Sequence, residues 1–426
     1  MKRILAVILV AVLAITLMPA AFAAEGKTEV VLWNQIFEDW NRAWSEKMVE
    51  EFNSDPNQKY TIKQEFVDGA AWDEKVAAAR AANVMPDMFL VNYSNLKWNA
   101  VDNYIQPLDD LIPQAAWDDL HDNVKEMITV NGKKFAYPMM LEPAVVMYYR
   151  KDLLAEKNLE VPKTWEEFIN VAKELTTNDM YGATMNYEWS MWGWEYTAAG
   201  HWPIADDWAS ANNQDQGYID LLTFIGDLYA NEYVPLQPLE GYNGSARLVA
   251  DDSVAITFSG SWGIAAIMND FPEMAEKIGV AAAPTKDGSP FKSTVGGWTY
   301  VIDAKARQPE GAAAFIHWLL GDEPARTASF FEAANFSKYS ARKSVDEYLA
   351  TETAAKDDQW MQTISQDIIP HAIAEPIYAW DISAQMLTAI GEVVTAGLTP
   401  EEALANAAEQ INQFIQNNNY AEKKPD

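Results

Sequence analysis

Strand-like and helix-like segments alternate through the first hundred residues, and this order is the strongest constraint on the fold. Residues 28–33 (TEVVLW) are typical of a buried strand, and apolar side chains at steps of three and four in residues 37–52 indicate an amphipathic helix. A second strand and helix follow in residues 60–67 and 72–82, and residues 86–91 (PDMFLV) indicate a third strand. This β-α-β-α-β order predicts an α/β fold in which mainly parallel sheets are flanked by helices.

Length and cysteine content limit how such a fold is organised. The chain has 426 residues and no cysteine. Because one hydrophobic core rarely grows beyond about 250–300 residues, we expect two domains. The absence of thiols from the sequence excludes disulfides, thiolate catalysis and cysteine-ligated metals, so the domains must be stabilised by their apolar cores.

The N-terminal segment has the three parts of a signal peptide. Lys2 and Arg3 precede an apolar run over residues 4–17, and Ala21-Phe22-Ala23 supplies the small residues of a cleavage site. The run is short for a membrane span, although an uncleaved anchor is the alternative. We therefore predict a signal peptide over residues 1–23 and a periplasmic or extracellular protein, released because no cysteine is present for lipid attachment.

The formal net charge of the chain is −31. Such a chain repels phosphate backbones and anionic lipid surfaces, which argues against nucleic acid as a partner. A neutral or cationic small ligand is easier to accommodate than a polyanion.

Catalytic and metal-binding motifs are missing from the sequence. The four histidines have no metal-ligand spacing, and SGSWG (259–263) carries Ser259 where a nucleophile elbow requires glycine. We therefore predict no catalytic residue, no metal and no cofactor. Carboxylates are abundant, so a pair of the glycosidase type remains an open alternative.

Tryptophans lie near the ends of several predicted strands, where ligands bind in open α/β sheets. Their flat apolar faces suit the C–H faces of sugar rings, and neighbouring amides and carboxylates can bond hydroxyl groups. Packing in the core is the alternative for any one of them. The group indicates carbohydrate contact and comprises Trp33, Trp189, Trp192, Trp262 and Trp298 with Asn34, Asp68, Glu142 and Glu188.

An ordered series of segments resembles the solute-binding proteins of sugar ABC importers, of the maltose-binding type. It covers nearly the whole mature chain and includes VVLWN, AARAANVMPDMFLV, NGKKFAYPMMLEPAVVMYYRKDLL, DDSVAITFSGSW, GGWTYVID and TPEEALANAAEQIN. The resemblance implies a two-lobe periplasmic-binding-protein fold of type II, with a hinge that the chain crosses more than once. Lobe 1 is expected over residues 25–141 plus about 296–343, and lobe 2 over 142–295 plus about 344–426.

The same resemblance implies roles for individual residues. Glu142 matches an acidic residue that bonds sugar hydroxyls, and Trp262 matches a tryptophan that stacks on a sugar ring. Asn34 falls in the loop after the first strand, which contributes to the cleft. Glu188 and Trp189 fall where the family places another acidic and aromatic contact.

One segment departs from the maltose-binding pattern. Residues 91–98 (VNYSNLKW) lack the Trp…Asp-Arg contacts of that type, so Tyr93, Ser94 and Asn95 are expected to supply different polar contacts. The sequence therefore predicts a sugar or oligosaccharide ligand without naming it.

The expected function is capture of a carbohydrate between the lobes and its delivery to the permease subunits of an ABC importer, by a monomer and without chemistry. A secreted glycoside hydrolase, an adhesive surface protein and a binding protein for a phosphate ester are the alternatives. A phosphate ester would require clustered basic residues or helix N-termini at the cleft. Few basic residues lie near the proposed loops.

Overall fold

The structure is a computed structural model that describes residues 26–37, 39–185, 191–237, 239 and 246–424. Its strands are β1 (Thr28–Ile36), β2 (Tyr60–Asp68), β3 (Met88–Asn92), β4 (Thr129–Val130), β5 (Lys133–Lys134), β6 (Tyr137–Pro138), β7 (Glu142–Pro143), β8 (Val146–Arg150), β9 (Ile256–Ser259), β10 (Ile278–Ala281), β11 (Thr294–Gly296), β12 (Trp298–Ile302) and β13 (Ile373–Ala374). Its α-helices are α1 (Asp39–Ser54), α2 (Trp72–Ala82), α3 (Tyr93–Val101), α4 (Gln114–Asp118), α5 (Asp122–Met127), α6 (Lys151–Glu156), α7 (Trp165–Leu175), α8 (Met191–Ala199), α9 (Gln216–Ala230), α10 (Arg247–Ala250), α11 (Gly263–Asp270), α12 (Pro309–Ile316), α13 (Pro324–Ala333), α14 (Lys343–Glu352), α15 (Gln359–Thr363), α16 (Trp380–Gly391) and α17 (Pro400–Asn418).

The first sheet has the strand order β2-β1-β3-β12-β6. Its first three strands are parallel and are connected through α1 and α2, which confirms the predicted β-α-β-α-β unit. Strand β12 returns from more than two hundred residues later and pairs antiparallel with β3. The carboxyl ends of β1, β2 and β3 therefore lie at one edge of the sheet.

The second sheet corrects the expectation of mainly parallel strands in both lobes. Its order is β10-β8-β9, and both pairings are antiparallel. Helices α6 to α10 lie between β8 and β9, and α11 lies between β9 and β10. A long connection that contains several helices can return the chain to either end of a sheet. The alternation of helices and strands in the sequence therefore does not determine the direction of β9 and β10.

A third, smaller sheet joins the two parts of the molecule. Its order is β13-β11-β7, so three distant passages of the chain meet in it. We call these three strands the hinge sheet. A hinge that the chain crosses more than once requires several passages of the chain side by side, and the hinge sheet has three.

Two hydrophobic cores accompany the sheets. The first packs around β1, β3 and β12, and the second packs around α7, α9 and α17. Strand β8 contributes to both, because Val146 and Tyr148 pack in the first core while Met147 packs in the second. The α/β architecture with two cores agrees with the expected two-lobe fold, and the residue bounds of the lobes stay a prediction. Among the described residues, no helix combines the length and apolarity that crossing a membrane requires.

Candidate functional site

The hinge sheet brings two carboxylates to the same glycine. Glu142 on β7 is paired with Gly296 on β11, and Glu375 directly follows β13 on the other side. A Cβ atom on residue 296 would overlap the carboxylate of Glu375. Glycine at this position therefore allows the two acidic side chains to approach one another.

Lys338 supplies a positive charge between Glu142 and an aromatic ring. Its ammonium group forms an ion pair with Glu142 and lies 6.0 Å from the centroid of the Trp262 ring. Lys338 is only 4% exposed, so this ion pair is largely removed from water. The hydroxyl of Ser94 donates a hydrogen bond to Glu375. We call Ser94, Glu142, Trp262, Lys338 and Glu375 the hinge cluster.

Glu375 has a carboxyl group with a raised pKa. Burial raises the pKa of its carboxyl group to about 7, the hydrogen bond from Ser94 lowers it, and the charge of Glu142 raises it. At neutral pH the group is therefore divided between its protonated and ionised forms. It can donate a hydrogen bond to a ligand in one form and accept one in the other.

A cavity of about 440 Å³ adjoins the cluster at Glu375, and we call it the hinge cavity. Its wall includes aromatic side chains from both halves of the molecule and several groups that form hydrogen bonds. These are Tyr93, Trp202, Trp208 and Tyr378, together with Lys97, Asn123, Glu126 and Glu375. The hydroxyl of Tyr93 is buried and has no hydrogen-bond partner among the described residues. Aromatic faces beside dispersed donors and acceptors suit a ligand with an apolar ring face and several hydroxyl groups.

Four of the residues singled out from the sequence lie at this site. Ser94, Glu142 and Trp262 belong to the hinge cluster, and Tyr93 lines the hinge cavity. The first turn of α3, which begins at the carboxyl end of β3, positions Tyr93 and Ser94. The backbone of Tyr93 donates to the carbonyl of Gly297, which fixes this turn against the strand after the hinge sheet.

Two of the expected residues lie inside the first sheet instead. Trp33 lies in β1, as expected, and the strand continues to Ile36, so Asn34 is also part of the strand and not of the loop after it. Asn34 is 2% exposed, and its amide donates to Ser45 and Gln64 while accepting from Tyr300. The ring of Trp33 is buried, and the ammonium group of Lys75 lies over it, with 4.1 Å between Nζ and the ring centroid. The structure gives Asn34 an internal bonding role, which corrects its placement in a loop.

The remaining expected residues lie apart from the hinge cluster or outside the description. Asn95 and Trp298 line a separate pocket beside α2 and α3, and Asp68 is exposed at the end of β2. Trp192 donates to the hydroxyl of Ser383 and contacts Trp380 edge-on, with 5.9 Å between ring centroids. Glu188 and Trp189 lie outside the described residues.

Three residues of interest carried no recognisable signal in the sequence. Lys338 and Glu375 are isolated charges in segments without periodicity, and only the fold brings them to the hinge. Trp380 begins α16 and is 48% exposed, which is unusual for so large an apolar ring. Among the described residues, no group of three or more acidic or histidine side chains is arranged to hold a metal ion.

Similar proteins give an independent view of the chain. A family model described as bacterial extracellular solute-binding protein matches residues 37–326. A probable ABC transporter-binding protein of Deinococcus radiodurans is 26% identical over 264 residues, which cover 57% of this chain and 60% of that protein. A maltooligosaccharide ABC transporter solute-binding lipoprotein of Streptococcus pneumoniae is 22% identical over 314 residues, 71% of each chain.

Solved structures share the fold at lower sequence identity. The sugar-binding protein MalE of Xanthomonas citri superposes with a TM-score of 0.77 at 18% identity, covering 94% of this chain and 100% of that one. The GacH receptor of Streptomyces glaucescens, solved unliganded and with acarbose, gives a TM-score of 0.77 at 20% identity, covering 92% and 99%. These likenesses establish the two-lobe architecture.

Proposed function

Because the chain belongs to the family of bacterial extracellular solute-binding proteins, we propose that it is the substrate-binding component of a carbohydrate ABC importer. It captures a sugar or oligosaccharide between its two lobes and delivers it to a membrane permease. The observation that carries this proposal is the hinge site, where aromatic rings and hydroxyl-bonding groups surround a cavity next to the three-stranded hinge. A similar relative named for maltooligosaccharides supports the ligand class.

Ligand drives closure in this proposal through contacts with both lobes. A ligand can shift a conformational equilibrium only by binding one state more tightly than the other. A sugar in the hinge cavity touches Tyr93 from the first half of the molecule and Trp208 and Tyr378 from the second. Closure completes these contacts, so bound sugar favours the closed form that the permease recognises.

The charges near the cavity favour a neutral ligand over a phosphate ester. Glu126 and Glu375 line the cavity, and Lys97 is the basic residue that lines it among those described. The ammonium group of Lys338 is already paired with Glu142. A dianionic ligand would therefore meet two carboxyl groups with one available cation.

We further propose that the protein acts as a monomer outside the cytoplasm and returns its ligand unchanged. The predicted signal peptide of residues 1–23 directs it to the periplasm or the medium, and this segment lies outside the described residues. Its partners are the carbohydrate and the transmembrane subunits of the importer. No catalytic step, metal or cofactor is needed for capture.

A thermal-shift screen of the mature protein against mono- and oligosaccharides tests the proposal. A ligand that binds the folded state raises the melting temperature by mass action, and calorimetry then gives its affinity. We expect at least one sugar to bind with micromolar or tighter affinity. Chromatography of that sugar after prolonged incubation should recover it intact. Release of shorter products, or no response to any sugar, would contradict the proposal.

A further inference from the structure

A second pocket lies on the other side of α3 from the hinge cavity. It has a volume of about 350 Å³ and is bounded by α2, α3 and the face of the first sheet. Three tryptophans line it: Trp72 at the start of α2, Trp98 on α3 and Trp298 on β12. We call this space the α2–α3 pocket. Its volume is at the small end of the range for ligand sites, about 300–1,000 Å³.

Polar side chains line the pocket together with these rings. Asn92 and Asn95 lie at the start of α3, and Asp73 lies in the first turn of α2. Amides both donate and accept hydrogen bonds, and carboxylates accept them. Asparagine, aspartate and tryptophan side chains together suit a ring that has hydroxyl groups at its edge and C–H groups on its face.

Arg80 places a guanidinium group at the wall of this pocket, where its Nη2 atom donates a hydrogen bond to Asn99. Its Nε atom is buried and has no hydrogen-bond partner among the described residues. Its guanidinium lies 4.1 Å from the ring centroid of Tyr104, which holds the side chain against the pocket wall. Each of the other six described arginines forms an ion pair with a carboxylate, whereas Arg80 forms none within 4.0 Å among those residues. A guanidinium group without a paired carboxylate attracts the oxygen atom of a bound hydroxyl group.

The two cavities flank the same helical turn. Tyr93 and Lys97 of α3 line the hinge cavity, whereas Asn95 and Trp98 line the α2–α3 pocket. Trp98 also donates from its indole nitrogen to the carbonyl of Ile377, at 2.7 Å, in the segment that borders the hinge cavity. A helix is about 10 Å across, so one extended ligand can reach both spaces around the start of α3.

We propose that the α2–α3 pocket is a second carbohydrate subsite, which binds a sugar unit of an oligosaccharide whose main part occupies the hinge cavity. The inference rests on the proposed function and adds the substrate class, an oligosaccharide longer than the hinge cavity alone holds. The half-buried rings of Trp98 and Trp298 contact the ring of this unit, whereas Trp72 packs in the first core. Arg80, Asn95 and Asp73 bond its hydroxyl groups.

Affinity measured against chain length tests the second subsite. Asp73→Ala, alone and together with Asn95→Ala, removes polar groups from the pocket. Glu74→Ala is the matched control, because Glu74 is the exposed neighbour of Asp73 in the first turn of α2 and does not line the pocket. The probes are defined ladders of malto-, cello-, xylo- and manno-oligosaccharides from two to six units, studied by thermal shift and then by calorimetry.

For the ladder that binds, we expect affinity to rise about tenfold between the short and the long members, as a few new hydrogen bonds would give. The pocket variants should lose this increase while binding the shortest sugar as the wild type does, and Glu74→Ala should retain it. Equal affinity of wild type and pocket variants at every length overturns the second subsite and leaves the proposed function intact. If no ladder binds, the second subsite is overturned, whereas the proposed function fails only if the wider screen of mono- and oligosaccharides also gives no response.

Discussion

Glu195 is a carboxyl group in the second core that the proposed binding mechanism does not use. It is 2% exposed, its Oε2 atom has no hydrogen-bond partner among the described residues, and burial raises its pKa to about 8. Because this pKa exceeds the ordinary value of 4.5, the folded state binds a proton more tightly than the unfolded state does. The folded form is therefore favoured at low pH and loses stability as the pH rises from about 4.5 towards 8.

We expect Glu195→Gln to remove this pH dependence. The amide cannot ionise, so the contribution of this residue to the slope, up to about 1.4 kcal/mol per pH unit, should disappear. Urea unfolding at pH 5, 7 and 9 measures the effect, with Glu160→Gln as an exposed control. If the variant and the wild type lose stability in parallel with rising pH, Glu195 is not the group responsible.

Trp262 offers the most direct residue-scale check of the hinge cluster. Its ring lies over Gly260 and near the ammonium group of Lys338, at the start of α11. We expect Trp262→Ala to weaken binding of the identified sugar at least about tenfold, equivalent to about 1.4 kcal/mol, because the stacking surface is lost. Calorimetry measures this loss. Trp318→Ala, in the first core, serves as a control for removal of an indole. Unchanged sugar affinity in Trp262→Ala would remove this residue from the site.

The sequence predicts residues of the site only where a local segment carries the signal. Glu142 and Trp262 lie within stretches that resemble the maltose-binding type, and the structure brings both to the hinge. Glu375 and Lys338 are separated from Glu142 by about two hundred residues, so no local pattern could connect them. Asn34 shows the opposite case, because its position after an apolar run suggested a loop while hydrogen bonds to Ser45 and Tyr300 retain it in the sheet.

Helix starts are the elements that the sequence predicts most closely. A threonine followed three residues later by glutamate is a capping-box signal; Thr164 with Glu167 forms such a box at the start of α7, and Thr399 with Glu402 forms one at the start of α17. Both signals are local, because the donors and acceptors lie three residues apart. The direction of β9 and β10 is not local, since it depends on where long helical excursions return the chain.

Thr164→Ala tests how much one capping box contributes. Its hydroxyl accepts from the backbone of Glu167, and the carboxylate of Glu167 accepts from the backbone of Thr164. We expect the variant to lower the free energy of unfolding by about 1 kcal/mol. Thr223→Ala is the control, because Thr223 is exposed in the middle of α9 and its hydroxyl caps no helix start. This variant should change the free energy of unfolding by less. Urea unfolding measures both variants. Equal losses of unfolding free energy would show that the capping box makes no specific contribution to stability.

At the scale of the whole molecule, function depends on how the two lobes are held relative to one another. Trp98 on α3 packs against the second core, with its ring 5.8 Å from Trp208 and 6.3 Å from Tyr420. Its indole nitrogen also bonds the carbonyl of Ile377. This side chain therefore bridges the helix that follows β3 and the part of the molecule built around α17.

We expect Trp98→Ala to shift the ligand-free protein towards a more open arrangement. Removing these contacts takes away interactions that exist only while the lobes are close, and the equilibrium between open and closed forms responds to that difference. Small-angle X-ray scattering without sugar should give a larger radius of gyration for the variant than for the wild type and for Trp318→Ala. Because Trp98 also lines the α2–α3 pocket, sugar affinity cannot separate the two roles, whereas the shape of the ligand-free protein can. An unchanged radius of gyration would mean that Trp98 does not control the spacing of the lobes, and closure would then depend on the hinge sheet and the ligand.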